Sequence, residues 1–225
     1  MEAVKPSPAF RDRGVIPGRF EYHSAPAFVD LNGDGQTDLV TGTWRDRVRW
    51  YRNSGTTAAP QWVLADTALV TLTRGSNATP TFGDLDGDGD LDLIVGEASG
   101  ELNLYRNLGT RSAPRFNLVS DHFQEIDVGR RSTPVLADMD RDGKLDMIIG
   151  SEGGGVQLWR NVTANGEIRF VLDSTFVVPT FDLSAPAVGD LDGDGDLDLI
   201  VGVGSGGVMS FENTSAAAVS SRKPR

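Results

Sequence analysis

Short apolar runs alternate with polar clusters along the whole chain, and none reaches helical length. The unit is clearest in the middle. Thr81-Phe82-Gly83 leads into an aspartate-rich loop, and Leu91 to Gly96 leaves it as an alternating or fully buried run. Glu101 to Asn107 then alternates, with Leu102, Leu104 and Arg106 on one face, and Phe116 to Val119 ends the unit. The pattern predicts four short strands. Gly100 and its counterparts Gly155 and Gly207 mark the turn between the second and third.

The unit recurs. Asp30-Leu31-Asn32-Gly33-Asp34-Gly35 is followed by Asp84-Leu85-Asp86-Gly87-Asp88-Gly89, Asp138-Met139-Asp140-Arg141-Asp142-Gly143 and Asp190-Leu191-Asp192-Gly193-Asp194-Gly195, whose first aspartates are 54, 54 and 52 residues apart. Two further markers keep this step. Asn53, Asn107, Asn161 and Asn213 each follow an aromatic and a charged residue, and a proline triplet precedes each loop: Ser24-Ala25-Pro26, Ala78-Thr79-Pro80, Ser132-Thr133-Pro134 and Ser184-Ala185-Pro186. Proline there suits the first residue of a strand. Repeats of about 50 residues with four strands each predict a β-propeller.

The chain ends refine this. An aromatic stands nine residues after the marker asparagine at Trp62, Phe116 and Phe170, but the place after Asn213 holds Arg222. The missing aromatic appears at the other end, in Pro8-Ala9-Phe10. The expectation is an all-β, four-bladed propeller of four-stranded antiparallel blades, the last blade closed by the N-terminal strand. Residues 1–214 form the single domain and 215–225 a flexible tail.

Composition agrees, with 39% hydrophobic residues for a core and 27 glycines spaced as turns. A net charge of −11 makes nucleic acid an unsuitable partner and cations the natural complement. There are no cysteines, which removes disulfides and thiolate chemistry, and no apolar run is long enough to span a membrane. The opening Met1-Glu2-Ala3-Val4-Lys5-Pro6 fits a cytosolic chain or one whose secretion signal has been removed.

The loops carry the chemistry. Calcium takes six to eight hard oxygen ligands, and carboxylates at positions 1, 3, 5 and 9, with a backbone carbonyl at 7 and glycine at the bend, wrap such an ion. The four sets are Asp30, Asn32, Asp34, Gln36 and Asp38; Asp84, Asp86, Asp88, Asp90 and Asp92; Asp138, Asp140, Asp142, Lys144 and Asp146; and Asp190, Asp192, Asp194, Asp196 and Asp198. Gln36, Asp90, Lys144 and Asp196 are the carbonyl donors. An EF-hand needs glutamate at position 12, where this chain has Thr41, Val95, Ile149 and Val201. Plain Asp-Gly turns are the bland alternative, but clustering like charges costs stability unless a cation neutralises them. Asn32 in the first loop, and Arg141 and Lys144 in the third, predict weaker binding there. Four Ca2+ ions would bring the charge from −11 to −3. Low-affinity calcium sites suit an extracellular or periplasmic setting, which favours the removed signal.

Thr81-Phe82-Gly83-Asp84 through Leu93-Ile94-Val95-Gly96, followed by Leu104-Tyr105-Arg106-Asn107, resembles the FG-GAP/VCBS repeat family, which includes the integrin α-subunit propeller. The resemblance covers all but the tail. It implies a propeller whose calcium loops brace the first two strands of each blade on one face, with recognition surfaces elsewhere. Integrin-type rings have seven blades, whereas this chain has four repeats.

The expected function is a non-enzymatic binding or adhesion module for a protein or glycan surface ligand. A lectin is the alternative, with Trp44, Arg45 and Trp62 as candidate ligand contacts, and an accessory domain of a larger secreted enzyme is another. The only histidines, His23 and His122, occupy non-equivalent repeat positions, and no nucleophile motif is present. A monomeric ring is favoured over a dimer forming a larger one.

Overall fold

The computed structural model describes residues 24–180 and 182–214. It is an all-β, four-bladed β-propeller. Blade one is β1 (Ala25–Val29), β2 (Asp38–Gly42), β3 (Arg47–Asn53) and β4 (Trp62–Thr71). Blade two is β5 (Thr79–Gly83), β6 (Asp92–Gly96), β7 (Leu102–Asn107) and β8 (Phe116–Ser120), followed by a 3-10 turn at Phe123–Glu125. Blade three is β9 (Thr133–Ala137), β10 (Asp146–Gly150), β11 (Val156–Asn161) and β12 (Phe170–Leu172); blade four is β13 (Ser184–Gly189), β14 (Asp198–Val203) and β15 (Val208–Phe211). Each sheet is an antiparallel meander with strands in sequence order, so the aspartate loops and the third-to-fourth strand turns share one end. The second-to-third turns lie at the other.

Burial follows from this stacking. Every residue of β6 and β10 is buried, because those strands are covered on both faces by neighbouring blades. Three apolar seams result. Leu31, Val40 and Val48 of blade one meet Leu93, Val95 and Tyr105 of blade two; Ile94, Leu102 and Leu104 then meet Met147, Ile149 and Phe170; Ile148, Val156 and Leu158 meet Leu199 and Val201. Successive side chains of one strand therefore serve two different seams.

The proline triplets explain how the blades approach. The residue two before each proline donates its backbone N–H to the preceding blade: Ala78 to Thr43 (2.9 Å), Ser132 to Glu97 (3.1 Å) and Ser184 to Ser151 (2.8 Å). This crossing lies directly over the glycine that ends the second strand. A Cβ on Gly96 would stand 2.3 Å from the Ser132 carbonyl oxygen, and one on Gly150 2.3 Å from that of Ser184. Pro80 and Pro134 are second in their strands and Pro186 third, not first as the sequence suggests. The inner strand is an edge, so a proline facing away from the ladder breaks no bond.

Blade four has three strands among the described residues. The expected closing strand around Phe10 and the tail at 215–225 lie outside them. The outward face of this blade also differs: Val208, the counterpart of buried Val48, Leu102 and Val156, is 68% exposed. Gly202 takes the place of Gly96 and Gly150, yet a Cβ there would meet nothing closer than 3.7 Å. Gly150→Ala is therefore expected to destabilise the fold by about 1–3 kcal/mol through overpacking, while Gly202→Ala stays within about 0.5 kcal/mol of the parent. Chemical denaturation of the two variants side by side measures the difference.

Candidate metal centre

Each aspartate loop is a chain of side-chain-to-backbone bonds. The first aspartate accepts two backbone N–H groups: Asp30 from Asp34 (3.1 Å) and Gly35 (3.0 Å), Asp84 from Gly87 (2.8 Å) and Gly89 (3.0 Å), Asp138 from Asp142 (3.1 Å) and Gly143 (3.0 Å), and Asp190 from Gly193 (2.7 Å) and Gly195 (3.1 Å). Asn32, Asp86, Asp140 and Asp192 each accept from the N–H two residues on. Asp34, Asp88, Asp142 and Asp194 do the same with the N–H of Gln36, Asp90, Lys144 and Asp196. Such turns are why aspartate and asparagine suit these places.

The backbone must bend twice to allow this. Position 6 is left-handed in every loop, as the sequence predicts, but so is position 4. Gly33, Gly87 and Gly193 have φ of +68°, +81° and +82°, and the third loop puts Arg141 there at +63°. A residue with a Cβ is strained in that conformation.

The turns bring carboxylates together. In the second, third and fourth loops the carboxylates at positions 1, 3 and 5 (Asp84, Asp86 and Asp88; Asp138, Asp140 and Asp142; Asp190, Asp192 and Asp194) offer oxygens within 4.8 Å of one another. In the first loop Asn32 replaces the middle carboxylate, and its Nδ2 donates to Asp34 (2.9 Å). The donor set, hard oxygens alone, fits a divalent cation of the calcium type. Asp196 strengthens the fit. It is 5% exposed, and both carboxylate oxygens are buried without a hydrogen-bond partner. Desolvation, with Asp194 beside it, raises its pKa. Both effects disfavour the charged form, and the Arg141 guanidinium of the third loop offsets them in part.

The ninth position behaves differently. Asp38, Asp92, Asp146 and Asp198 are at most 2% exposed and point at the third strand, where each Oδ1 accepts the backbone N–H of a marker asparagine: Asn53 (2.8 Å), Asn107 (3.0 Å), Asn161 (2.8 Å) and Asn213 (2.9 Å). Their second oxygens accept from Trp50 Nε1 (3.0 Å), Leu85 N (3.4 Å), Arg160 Nη1 (2.9 Å) and Leu191 N (2.8 Å). These carboxylates are thus pins between loop and sheet. Burial raises the pKa of Asp38 and Asp146, and takes Asp92 to about 6. Asp198 is held below the usual range by the N–H groups of Asn213 and Leu191. The asparagines complete the link: the side-chain oxygens of Asn53 and Asn107 accept two N–H groups each from the turn to the outer strand, at 2.9–3.0 Å. This role leaves only a repeated letter in the sequence.

Cations already reach two loops. Arg106 pairs with Asp86 and lies 3.9 Å from Asp88, and Arg160 pairs with Asp140 (3.4 Å), Asp146 (2.9 Å) and Asp173 (3.3 Å). Blade four carries Glu212 at this place. Lys144 turns its ammonium to the Thr163 carbonyl (2.9 Å), so the positive charge inside the third loop's carboxylates is that of Arg160. The three aromatic-site candidates do not form one site. Trp44 and Arg45 sit in the β2–β3 turn, the guanidinium 5.5 Å from the ring centre, whereas Trp62 starts β4 beside Phe28 at 6.3 Å. β3 separates them by about 20 Å. His122 pairs with Glu101 (3.0 Å), and His23 lies outside the described residues.

Two tests follow from this geometry. Arg141→Gly is expected to stabilise the protein by about 0.5–1 kcal/mol by relieving the left-handed strain, read from denaturation midpoints. With a chelator present, the raised pKa of Asp92 favours the fold below pH 4, and that contribution is lost as pH rises through about 6. Asp92→Asn, an uncharged acceptor for the same Asn107 N–H, is expected to flatten the fall of the thermal midpoint between pH 4 and 7.

Three comparisons place these features among known proteins. The model of the FG-GAP-like repeat matches residues 30–95, 84–149 and 138–201, and that of the FG-GAP repeat matches 183–220. No curated protein sequence matches the chain. Among solved structures, a lectin of Agrocybe aegerita described as recognising non-reducing terminal N-acetylglucosamine is 22% identical, with a TM-score of 0.48. The match covers 79% of this chain and 46% of that one, so this chain spans less than half of the lectin's length. With the family models covering all four aspartate loops, the chain belongs to the FG-GAP repeat family.

Proposed function

We propose that this protein is an extracellular, non-enzymatic recognition module, a propeller whose aspartate loops bind calcium to stiffen the blades while other surfaces engage a protein or glycan ligand. The observation that carries the reading is the joining of two features in one loop. Carboxylates converge at positions 1, 3 and 5, and the ninth aspartate ties the same loop to the third strand. A cation held by the first group is connected through the second to the blade, which is the arrangement of a structural site. It also engages most of the chain's clustered acids in architecture. Millimolar calcium outside the cell would saturate sites of the strength such loops offer.

A glycan ligand is the second reading, favoured by Trp44. It is 42% exposed in a turn where the other blades place Ala98, Glu152 and Gly204, and Arg45 stacks on it. An aromatic face with a hydrogen-bonding neighbour suits a sugar ring. Among the described residues no helix is long and apolar enough to cross a membrane.

Calcium at 100 times its dissociation constant is expected to stabilise the protein by about 2.7 kcal/mol per site. Calorimetric titration and thermal denaturation with and without chelator measure this, and an unchanged midpoint would overturn the calcium reading. On a glycan array, binding that Trp44→Ala abolishes supports the sugar ligand. Array silence combined with capture of a cell-surface protein favours the protein ligand.

A further inference from the structure

Blade three differs from its neighbours in how its loop is tied to the sheet. Arg160 stands at the end of β11, one residue before the marker asparagine, and its guanidinium meets carboxylates from three separate segments. Nη1 donates to Asp146 of β10 (2.9 Å) and lies 3.4 Å from Asp140 of the loop, while Nε donates to Asp173 beyond β12 (3.3 Å). Asp146 is 2% exposed and its other oxygen accepts the Asn161 N–H, so the end of one strand engages both of its oxygens. A planar guanidinium, with donors on two edges, suits such bridging. Asp173 is peculiar to this blade. It stands three residues after the aromatic that opens the outer strand, where blades one and two have Ala65 and Val119. Its own Oδ1 accepts from the Thr175 N–H (3.0 Å) and hydroxyl (2.6 Å), so it anchors the guanidinium from the outer side. The charges within the loops run the same way. Residues 138–146 hold four carboxylates with Arg141 and Lys144 among them, whereas 84–92 and 190–198 hold five each and no basic residue, and blade four has Glu212 in the place of Arg160.

We propose that Arg160 is the resident cation of the third blade: its guanidinium ties loop to sheet in the role proposed above for calcium in the other loops, so blade three keeps its shape without a metal ion. This deepens the calcium reading and rests on it for the contrast between blades, while Arg160 itself is tested directly. A divalent ion drawing on Asp140 must either share the loop with a like charge or displace the guanidinium. Displacement gives up a charge-assisted bond to buried Asp146, which weakens the hold on the ion by roughly tenfold to a hundredfold. The bond to Asp173 is lost with it. Loop three thus shares the aspartate motif of loop four but meets its charge from within the chain.

Amide hydrogen exchange followed by NMR, in calcium chloride or in chelator, reads the asparagine pin of each blade separately. In chelator the Asn161 amide of the parent is expected to stay protected, while that of Asn213, whose blade lacks the arginine, exchanges about tenfold faster than in calcium. Arg160→Gln keeps a polar group and removes the charge. It is expected to speed Asn161 exchange in chelator by about tenfold and to make that exchange respond to calcium. Calorimetric titration of calcium chloride is expected to give about three strong equivalents in the parent and about one more in Arg160→Gln. Where Arg160→Gln does not fold, Asp173→Asn, which removes only the charge of the outer anchor, is expected to move Asn161 exchange in the same direction and to a smaller extent. Unchanged Asn161 exchange in the folded variant, or a parent whose third loop binds calcium as tightly as its fourth, overturns the proposal. A parent that binds no calcium overturns the calcium reading instead, and the Asn161 exchange of the variants in metal-free buffer then decides the role of Arg160 by itself.

Discussion

The bond from the marker asparagine's backbone N–H to the ninth loop aspartate organises each blade. It joins the aspartate loop, which otherwise anchors itself through single apolar residues such as Leu31 and Leu85, to the middle of a sheet. The aspartate is buried, so the bond forms in a place where water does not compete, and an unsatisfied partner would be costly. The asparagine's side chain then shapes the turn that follows. This pair joins loop and third strand four times at 2.8–3.0 Å, and in blades one and two the asparagine also fixes the turn to the outer strand.

This arrangement divides the acids of the loop into two kinds. Those at positions 1, 3 and 5 face one another, where they collect negative charge; most reach solvent, but Asp86 is covered by Arg106. The ninth faces the sheet, where burial disfavours its ionised form in Asp38, Asp92 and Asp146. Arg106 and Arg160 supply internal positive charge to the second and third loops, whereas the fourth has Glu212 and, at Asp196, a buried carboxylate on which the Arg141 guanidinium acts from the third loop. The loops thus share a motif but not an electrostatic environment. Asn32 distinguishes the first loop further.

The seams between blades depend on small residues in the same way. Gly96 and Gly150 lie beneath the carbonyl of the next blade's inner strand, and no side chain fits between. Apolar residues on both faces of the second strand, such as Leu93 and Ile94, then pack in opposite directions and couple three blades through one strand.

Much of this was legible in the sequence because the repeat keeps three markers in register, and local alternation with period two defines strands without reference to neighbours. The blade count, the loop positions and the glycine bends follow from that periodicity alone. The meaning of the asparagine did not, since its partner is fifteen residues away across a loop. The inward turn of the ninth aspartate, the left-handed Arg141, the reach of Arg160 into the third loop and the separation of Trp44 from Trp62 were equally hidden. Each depends on where strand direction carries a side chain and on which blade lies against it. Spacing along a chain records local geometry and repetition; contact between distant residues and the burial it creates arise only when the sheets are stacked.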